Sequence, residues 1–480
     1  MSKITNSVVL PEVSTADATP MGLTAFEYSI QCGDEKQYER SPSELDDIEC
    51  RCSNAPDEIE DSTDDGEVII RENVNVFKCA FNIFKGNVGS AVFLLPTFYK
   101  DAGYIISPII GLAIGSCVVD CSLQLVRAKH MINRKKVMNY SQVCEFVLGL
   151  PFRYVLLVAL LLTQFGFCLL YLQLFGDSML HLVPRFSGDE YVWMTAMFVA
   201  VFPIIFFIDN LSFLAFISMV ATVCVFFALI TTIVQTFVKL HNDGIEPSAT
   251  SLGNDIPFGW FNNMANSMML LEGIGVVLPV ENACNNKKRF PLMLAIVLYL
   301  VVGWYLLYGL TGYLAYGDNL KISLVDALPK NTLSTVVRVA FTVNIFCTYP
   351  ILFMPGILQL DSFLGWPSRS LKGILLRIGI SLIIYGIAMG VGSGAVNTVV
   401  AFIGALPATV MIMILPPLLV FSVEGSVEDP EAPRMTWKYW RRNLFGRRLT
   451  FARARSYLYI CCGIVIMVVG TFSIVKGLVQ

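Results

Sequence analysis

The sequence predicts an all-α polytopic membrane protein with 11 transmembrane helices, and three observations support this fold class. Hydrophobic residues make up 55% of the 480 residues and charged residues only 15%, a balance that is too apolar for a soluble protein. The mean hydropathy is +0.64. The apolar residues are also gathered into runs of about 20 residues, the length that an α-helix needs to cross a bilayer.

Polar residues separate the apolar runs and set the limits of each predicted span. We place the spans at residues 75–99, 104–128, 152–176, 191–208, 211–239, 258–283, 290–316, 333–357, 372–391, 395–422 and 455–477. An odd number of spans puts the two termini on opposite sides of the membrane. Most lysine and arginine residues then lie in loops on the side of the amino terminus, which the positive-inside rule assigns to the cytoplasm.

Residues 1–74 differ in composition from the predicted membrane domain at residues 75–480. This segment carries 18 of the 37 acidic residues and only five basic ones, and such a polar, acidic composition is typical of disorder. We therefore predict a disordered cytoplasmic tail whose length and charge suit cytoplasmic partners. The basic residues of the membrane domain are scattered over its loops, which excludes a nucleic-acid-binding protein.

The cysteine spacing and the absence of catalytic motifs argue against a metal centre or an enzyme. Most of the 13 cysteines lie inside apolar runs, and none has the spacing of a metal site. The sequence contains no phosphate-binding loop and no catalytic triad motif. We therefore expect no cofactor, no metal and no enzymatic activity.

Glycine and polar residues interrupt the first and sixth spans at mid-depth. The first contains Lys-Gly-Asn-Val-Gly-Ser at residues 85–90, and the sixth contains Glu-Gly-Ile-Gly at residues 272–275. A glycine destabilises a helix by up to about 1 kcal/mol, and a carboxylate at mid-membrane costs at least about 2.5 kcal/mol. Broken helices are tolerated there where their backbone lines a cavity. Close helix packing through glycine is the alternative interpretation.

At these residues the sequence resembles the amino acid/auxin permease family, and within it the proton-coupled amino acid transporters. The similarity extends from about Val76 to Val479 and is most specific at residues 85–90, 163–171, 272–282 and 289–291. It implies the 5+5 inverted repeat of the amino acid–polyamine–organocation type, with helices 1 and 6 broken and one extra helix. It also implies secondary active transport of amino acids, commonly coupled to protons.

The resemblance further implies which residues contact an amino acid substrate. Backbone groups that hold the substrate carboxylate are expected at Gly86, Asn87, Val88, Gly89 and Ser90. Carbonyl groups that meet the α-amino group are expected at Glu272, Gly273 and Gly275. Four side chains on the third and eighth spans either face the same cavity or fill the bundle interior: Gln164, Tyr171, Thr348 and Tyr349.

Any coupled proton must be carried by a carboxylate, because no histidine is predicted at mid-membrane. Animal members of the family carry a histidine four residues before Gly86, where this chain has Asn82. Glu272 is the first candidate, since burial favours the neutral form of a carboxyl group. Asp120 is the second, although pairing with Arg127 near the inner surface agrees equally well with its position.

Two further charged residues have alternative predicted partners. Lys85 either pairs with Glu272 or extends toward the inner surface, and Glu281 is expected to pair with Lys287 or Lys288. Relatives in the family favour small neutral amino acids, but a free carboxylate at residue 272 or 120 would also suit a cationic substrate. An amino acid sensor that signals through its tail is another alternative. The plasma membrane and the lysosomal or vacuolar membrane both agree with the sequence.

Overall fold

The computed structural model of the chain describes residues 74–132, 138–183, 189–206, 211–250, 258–366, 370–428, 434, 436–446 and 450–479. These residues are almost entirely helical, and their extended backbone includes one parallel bridge between Val74 and Cys284. The all-α class is therefore confirmed. The predicted disordered tail lies outside the described residues, apart from Val74.

The helices are numbered here in chain order. They are α1 (Val76–Asn87), α2 (Leu95–Ile132), α3 (Tyr140–Leu148), α4 (Leu150–Leu182), α5 (Glu190–Phe206), α6 (Leu211–Asp243), α7 (Phe258–Leu270), α8 (Val277–Ala283), α9 (Phe290–Tyr316), α10 (Leu324–Ala327), α11 (Thr332–Leu364), α12 (Leu371–Val391), α13 (Val396–Ile403), α14 (Leu415–Glu428), α15 (Trp437–Phe445) and α16 (Phe451–Val479). Short 3₁₀ helices precede α2 at Ser90–Leu94 and α8 at Gly273–Val276. Two π-helical turns, Gly404–Ala408 and Val410–Ile414, connect α13 to α14.

Nine helical stretches among the described residues are long and apolar enough to cross a membrane. This number differs from the eleven predicted spans for two reasons. The first predicted span is divided, because α1 has only 12 residues and the rest joins the second span in the stretch Ser90–Ile132. In addition, the apolar part of α5, Glu190–Ile205, is shorter than a full span. The chain is a multi-pass membrane protein, and the 5+5 repeat stays a prediction.

Gly103 marks the turn between the first two predicted spans. Its φ of 77° and ψ of 175° lie outside the helical region, so α2 consists of two helical segments that meet at this residue. A positive φ is readily adopted by glycine and strains residues with a Cβ atom. The turn is therefore encoded locally.

Long helices pack in pairs to form the bundle interior. α2 packs against α9 and α7, and α11 packs against α6 and α4. α7 also contacts the π-helical turn at Gly404, where a Cβ atom would lie 1.7 Å from the carbonyl oxygen of Ala265. Glycine at this position allows the two backbones to approach closely.

The bundle has two ends, which we name by the short helix at each. The α3 face contains residues 138–149, the end of α2 with residues 281–289, and α15. Contacts join these parts, for example the Asn282 amide to the Met138 carbonyl at 3.2 Å. The α10 face contains the start of α2 and residues 317–331, joined where the Lys100 ammonium donates to the Asp318 carbonyl at 3.0 Å.

Candidate functional site

The helix breaks that the sequence predicts are present at both positions. α1 ends at Asn87, Val88 and Gly89 are extended, and helical structure resumes at Ser90. α7 ends at Leu270, and Glu272 (φ −76°, ψ 28°) separates it from the 3₁₀ turn that begins at Gly273. Each break leaves helix termini inside the bundle, and helix termini have backbone groups without partners in their own helix.

The two breaks contact each other directly. A Cβ atom at Gly273 would lie 2.1 Å from the Asn87 Oδ1 atom, so the Asn87 side chain occupies space that only glycine leaves open. The Tyr305 hydroxyl of α9 donates to the carbonyl oxygens of both Asn87 and Leu270, the latter at 3.4 Å. α9 therefore fixes the end of α1 and the end of α7 through one buried side chain.

A cavity of about 680 Å³ begins at the breaks. It is bounded by α4, α6, α9 and α11 and continues to the α3 face, where Asn139, Gln142, Arg153 and Phe363 also line it. On the opposite side of the break in α1, Phe93 packs against Phe341 with ring centroids 4.9 Å apart. The cavity is therefore accessible from the α3 face, and buried aromatic rings lie between it and the α10 face.

Eleven of the predicted site residues line this cavity. They are Gly86, Asn87, Val88, Gly89, Ser90, Gln164, Tyr171, Glu272, Gly273, Gly275 and Thr348. The Ser90 hydroxyl donates to the Tyr171 hydroxyl at 2.6 Å, so α4 is joined to the residues that follow the first break. The structure thus brings together residues that are up to 262 positions apart (86 and 348).

Four buried acceptor atoms of the cavity lining have no hydrogen-bond partner among the described residues. They are Asn87 Oδ1, Gln164 Oε1, Glu272 Oε2 and Asn344 Oδ1. Buried polar atoms are almost always hydrogen-bonded, and an unsatisfied one costs about 1–3 kcal/mol. Donors from water, a proton or a bound ammonium group would satisfy these four atoms.

The helix termini at the breaks add complementary partial charges. The first N–H groups of a helix have no acceptor within it, which leaves positive charge at Ser90 and Ala91. The last carbonyl groups of α1 and α7 carry the corresponding negative charge. The site therefore offers a partial charge of each sign to a ligand that carries both a carboxylate and an ammonium group.

Of the three charged side chains in the cavity lining, Glu272 and Lys85 lie beside the breaks and do not pair with each other. Glu272 lies beside the buried Thr163 hydroxyl. Lys85 is half-buried, and its ammonium group donates to Ser218 Oγ of α6 at 3.3 Å. Lys85 therefore does not pair with Glu272 and contacts α6 instead, while its extension toward the inner surface stays a prediction. At the mouth of the cavity, Arg153 pairs with Glu145 at 2.7 Å.

Tyr349 lies outside the cavity lining, contrary to the expectation from its neighbour Thr348. Its ring is only 1% exposed and stacks on Phe353 at an interplanar angle of 9°. The two residues are adjacent on one helix, and successive helical residues point about 100° apart. Thr348 faces the cavity, and Tyr349 is turned toward Phe353 in the bundle interior.

Asp120 also lies away from the cavity, and its predicted pairing with Arg127 is wrong. Its carboxylate accepts a hydrogen bond from Gln124 at 2.7 Å and pairs with Arg455 of α16 at 3.0 Å. α16 passes α2 at this level, which supplies a cation from a distant part of the sequence. Asp120 therefore joins α2 to α16. Of the two candidate proton carriers, only Glu272 lines the cavity.

Glu281 forms a buried ionic cluster at the α3 face. The predicted pairing with Lys287 is confirmed at 3.5 Å, and Lys288 is not its partner. Lys129 also contacts the carboxylate directly, and His130 lies 3.1 Å from it. The two extra partners stand at the end of α2, so the cluster ties α8 to α2.

Sequence reasoning missed three residues that shape the site. Thr163 begins one of the motifs that carry the family resemblance, but the sequence indicates no role for it. Tyr305 lies in an uninterrupted apolar run and Ser218 in an apolar helix, and nothing in the local pattern distinguishes these two residues from ordinary helix interior. Their roles depend on the helix faces that packing turns toward the breaks.

Asp177, His181 and Asp326 form a group of possible metal ligands among the described residues, with ligand atoms within 4.8 Å of one another. These residues lie at the α10 face, at the end of α4 and in α10, and they do not line the cavity. The cavity and this group are therefore separate features.

Comparisons with known proteins agree with the features of this site. A family model described as transmembrane amino acid transporter protein matches residues 72–476, which confirms the resemblance to the amino acid/auxin permease family. The Arabidopsis thaliana amino acid transporter AVT3A is 28% identical over 286 residues, 57% of this chain and 65% of the relative. The Saccharomyces cerevisiae vacuolar amino acid transporter 4 is 24% identical over 414 residues, 78% of this chain and 56% of the relative. Both matches thus span less than two thirds of the relative's length.

Solved structures of the transporter Mhp1 share the fold. Its inward-facing conformation superposes with a TM-score of 0.54 at 12% identity, covering 85% of this chain and 92% of Mhp1. Its closed conformation with bromovinylhydantoin gives a TM-score of 0.51 at 13% identity, covering 84% and 91%. The match of the family model over residues 72–476 shows that the chain belongs to the family of transmembrane amino acid transporter proteins.

Proposed function

We propose that this protein is a secondary active permease that moves small neutral amino acids across a membrane, coupled to protons and working by alternating access. The observation that carries the proposal is the cavity between the two helix breaks, where four buried acceptors lack partners among the described residues. The named activity of the relatives, amino acid transport, supports the same conclusion.

The substrate carboxylate binds at the start of the helical segment after the first break. The N–H groups at Ser90 and Ala91 point to this position, and helix N-termini favour anions. The α-amino group binds between the carbonyl ends of α1 and α7, where Asn87 Oδ1 and Gln164 Oε1 are free to accept. This orientation leaves the side chain of the substrate facing the rest of the cavity.

A neutral side chain agrees best with the charges in the lining. The ammonium group of Lys85 disfavours a second cation in the same cavity, and it offsets the charge of Glu272 when that residue is ionised. A cationic amino acid is the second candidate, because Glu272 Oε2 has no partner within the described residues. In that case the substrate side chain would supply the missing donor.

Glu272 is the proposed proton carrier. It is enclosed in the bundle beside Thr163 and forms no ion pair with Lys85 in the described part of the chain. An isolated carboxylate away from water is costly, whereas the neutral acid is not. Protonation from one side and release to the other would couple proton movement to the opening of the cavity.

Alternating access requires the cavity to exchange its opening between the two faces. In this structure it reaches the α3 face, and the Phe93–Phe341 contact separates it from the α10 face. We assign the α3 face to the cytoplasm, since the positive-inside rule places the amino terminus there. The yeast relative's name supports the vacuolar or lysosomal membrane over the plasma membrane. The acidic tail and any cytoplasmic partners, including a sensor role, stay predictions.

Uptake of a radiolabelled amino acid panel into proteoliposomes tests the proposal, with and without an imposed pH gradient. We expect a small neutral amino acid to accumulate faster with the gradient, and arginine and lysine to accumulate little. Glu272→Gln separates the two candidates, because loss of arginine uptake alone would identify a cationic substrate. No uptake of any amino acid under any ion gradient would refute the transport proposal.

A further inference from the structure

Helix α15 lies at the α3 face and is held there by one of its sides. The Tyr439 hydroxyl donates to the Val147 carbonyl at 3.1 Å, and the Trp440 ring packs on Phe152 with centroids 5.3 Å apart. Asn443, one turn further along, is completely buried. These contacts fix which side of α15 faces outward.

The outward side of α15 combines three cations with an indole ring. Its exposed residues are Trp437, Lys438, Arg441 and Arg442, and Trp437 is 71% exposed. At about 100° per residue these four positions span an arc of about 140°. None of the three cations pairs with a carboxylate in the part of the chain that the structure describes.

The position of α15 in the chain places this arc near the membrane surface. The helix stands in the connector between the membrane-spanning stretches Ser393–Val423 and Phe451–Phe472. Only 27 residues (424–450) separate the two stretches, and α15 is packed directly on α3 and α4. Its outward arc therefore lies within reach of the lipid headgroups at the α3 face.

We propose that this arc of α15 binds anionic phospholipid headgroups of the adjacent leaflet. Guanidinium groups bind phosphate oxygens with two parallel hydrogen bonds, and basic residues beside a bilayer attract anionic lipids. Tryptophan favours the level of the headgroups, where its ring is partly buried and its N–H is hydrated. The acidic segment of residues 1–74 would satisfy the cations but gives no reason for an exposed indole ring among them.

Lipid bound here would hold α15 against the mouth of the cavity. The Trp440 partner Phe152 directly precedes Arg153, which lines the cavity and pairs with Glu145. Headgroup binding on the outer side of α15 thus stabilises the packing on its inner side. This interaction is independent of the substrate and of the coupling ion.

Native mass spectrometry of the purified full chain in a neutral detergent tests the proposal. The protein is titrated with phosphatidylserine and phosphatidylcholine of identical acyl chains, and the ratio of their binding constants is measured. We expect the wild type to prefer phosphatidylserine and Arg441→Gln/Arg442→Gln to lose about 25-fold in that ratio, about five-fold per cation. The matched control, Lys321→Gln/Lys330→Gln, removes the same charge from exposed residues of the α10 face and should keep the ratio.

Three results would overturn the proposal. If the ratio of the phosphatidylserine and phosphatidylcholine binding constants is the same in the two double variants, the overall charge of the protein, and not α15, attracts the lipid. Displacement of the lipid by inorganic phosphate at equal concentration would identify a site for free phosphate. In the third result, the wild type shows no preference for phosphatidylserine, and the preference appears when four acidic residues of the tail are changed to their amides (Asp57, Glu58, Glu60 and Asp61). This result would identify the tail as the occupant of the outward arc of α15. Thermal melting of each variant checks that it is folded.

Discussion

The contact between Gly273 and Asn87 makes the substrate site sensitive to a single added methyl group. In Gly273→Ala the new Cβ atom would lie 2.1 Å from Asn87 Oδ1 and 2.5 Å from Nδ2, so the Asn87 side chain must move. It would then lose its hydrogen bond to the Ile83 carbonyl, now 2.8 Å long. The lost bond costs about 1 kcal/mol, and a displaced rotamer costs about 0.5–1.5 kcal/mol.

These two costs lower the stability of the free and the bound protein alike. The displaced Asn87 Oδ1 also loses its proposed hydrogen bond to the substrate ammonium group, which is worth about 2 kcal/mol and corresponds to about 30-fold weaker binding of the amino acid. Gly275→Ala is the matched control, because a Cβ atom there would meet only Leu160, at 4.0 Å. Neither glycine has a positive φ, so the backbone tolerates alanine at both positions. The two variants therefore differ in what the methyl group contacts.

Equilibrium binding to the purified protein measures this difference, with the radiolabelled amino acid that the liposome panel identifies. We expect Gly273→Ala to weaken binding about 30-fold and Gly275→Ala to change it less than about three-fold. Equal affinities in the two variants would refute the role assigned to Asn87. Thermal melting in detergent should show that both proteins remain folded.

Three further predictions concern the carboxylates and the packing of the bundle. Glu272→Gln should abolish the stimulation of uptake by a pH gradient, while exchange of amino acid across the liposome membrane should continue. Uptake that the gradient still stimulates in this variant would exclude Glu272 as the proton carrier. Asp120→Asn should leave that stimulation unchanged and reduce stability by at most about 1 kcal/mol, because its pair with Arg455 is partly exposed; loss of stimulation would show that Asp120 takes part in coupling. Gly404→Ala should lower the melting temperature strongly, because the new Cβ atom would overlap the carbonyl oxygen of Ala265. In the control Gly303→Ala the new Cβ atom has no neighbour within 4 Å, so this variant should melt at the wild-type temperature.

The helix breaks could be predicted from the sequence because their cause is local. Two glycines around Asn87 in one span, and Glu272 with two glycines in another, are unfavourable in a continuous membrane helix. The backbone leaves the helical conformation at these residues in the structure. The same local reasoning predicted that Glu281 pairs with Lys287 or Lys288, and Lys287, six positions away, is a partner in the structure.

Partners on distant helices could not be predicted in this way. Asp120 pairs with Arg455, although Arg127 is far closer in sequence. Tyr305 connects the two breaks from a run of apolar residues that has no distinguishing pattern. Such contacts depend on which helices become neighbours and how each is rotated about its axis.

The sequence by itself determined the all-α membrane class, the two breaks and the family, because these depend on hydropathy, glycine placement and short motifs. Only the tertiary structure decided that the cavity reaches the α3 face, that Thr348 and not Tyr349 lines it, and that Lys85 turns to Ser218. The physical reason is that an apolar helix in a bilayer carries little periodic pattern to mark its inner face. Its rotation is set by packing against its neighbours.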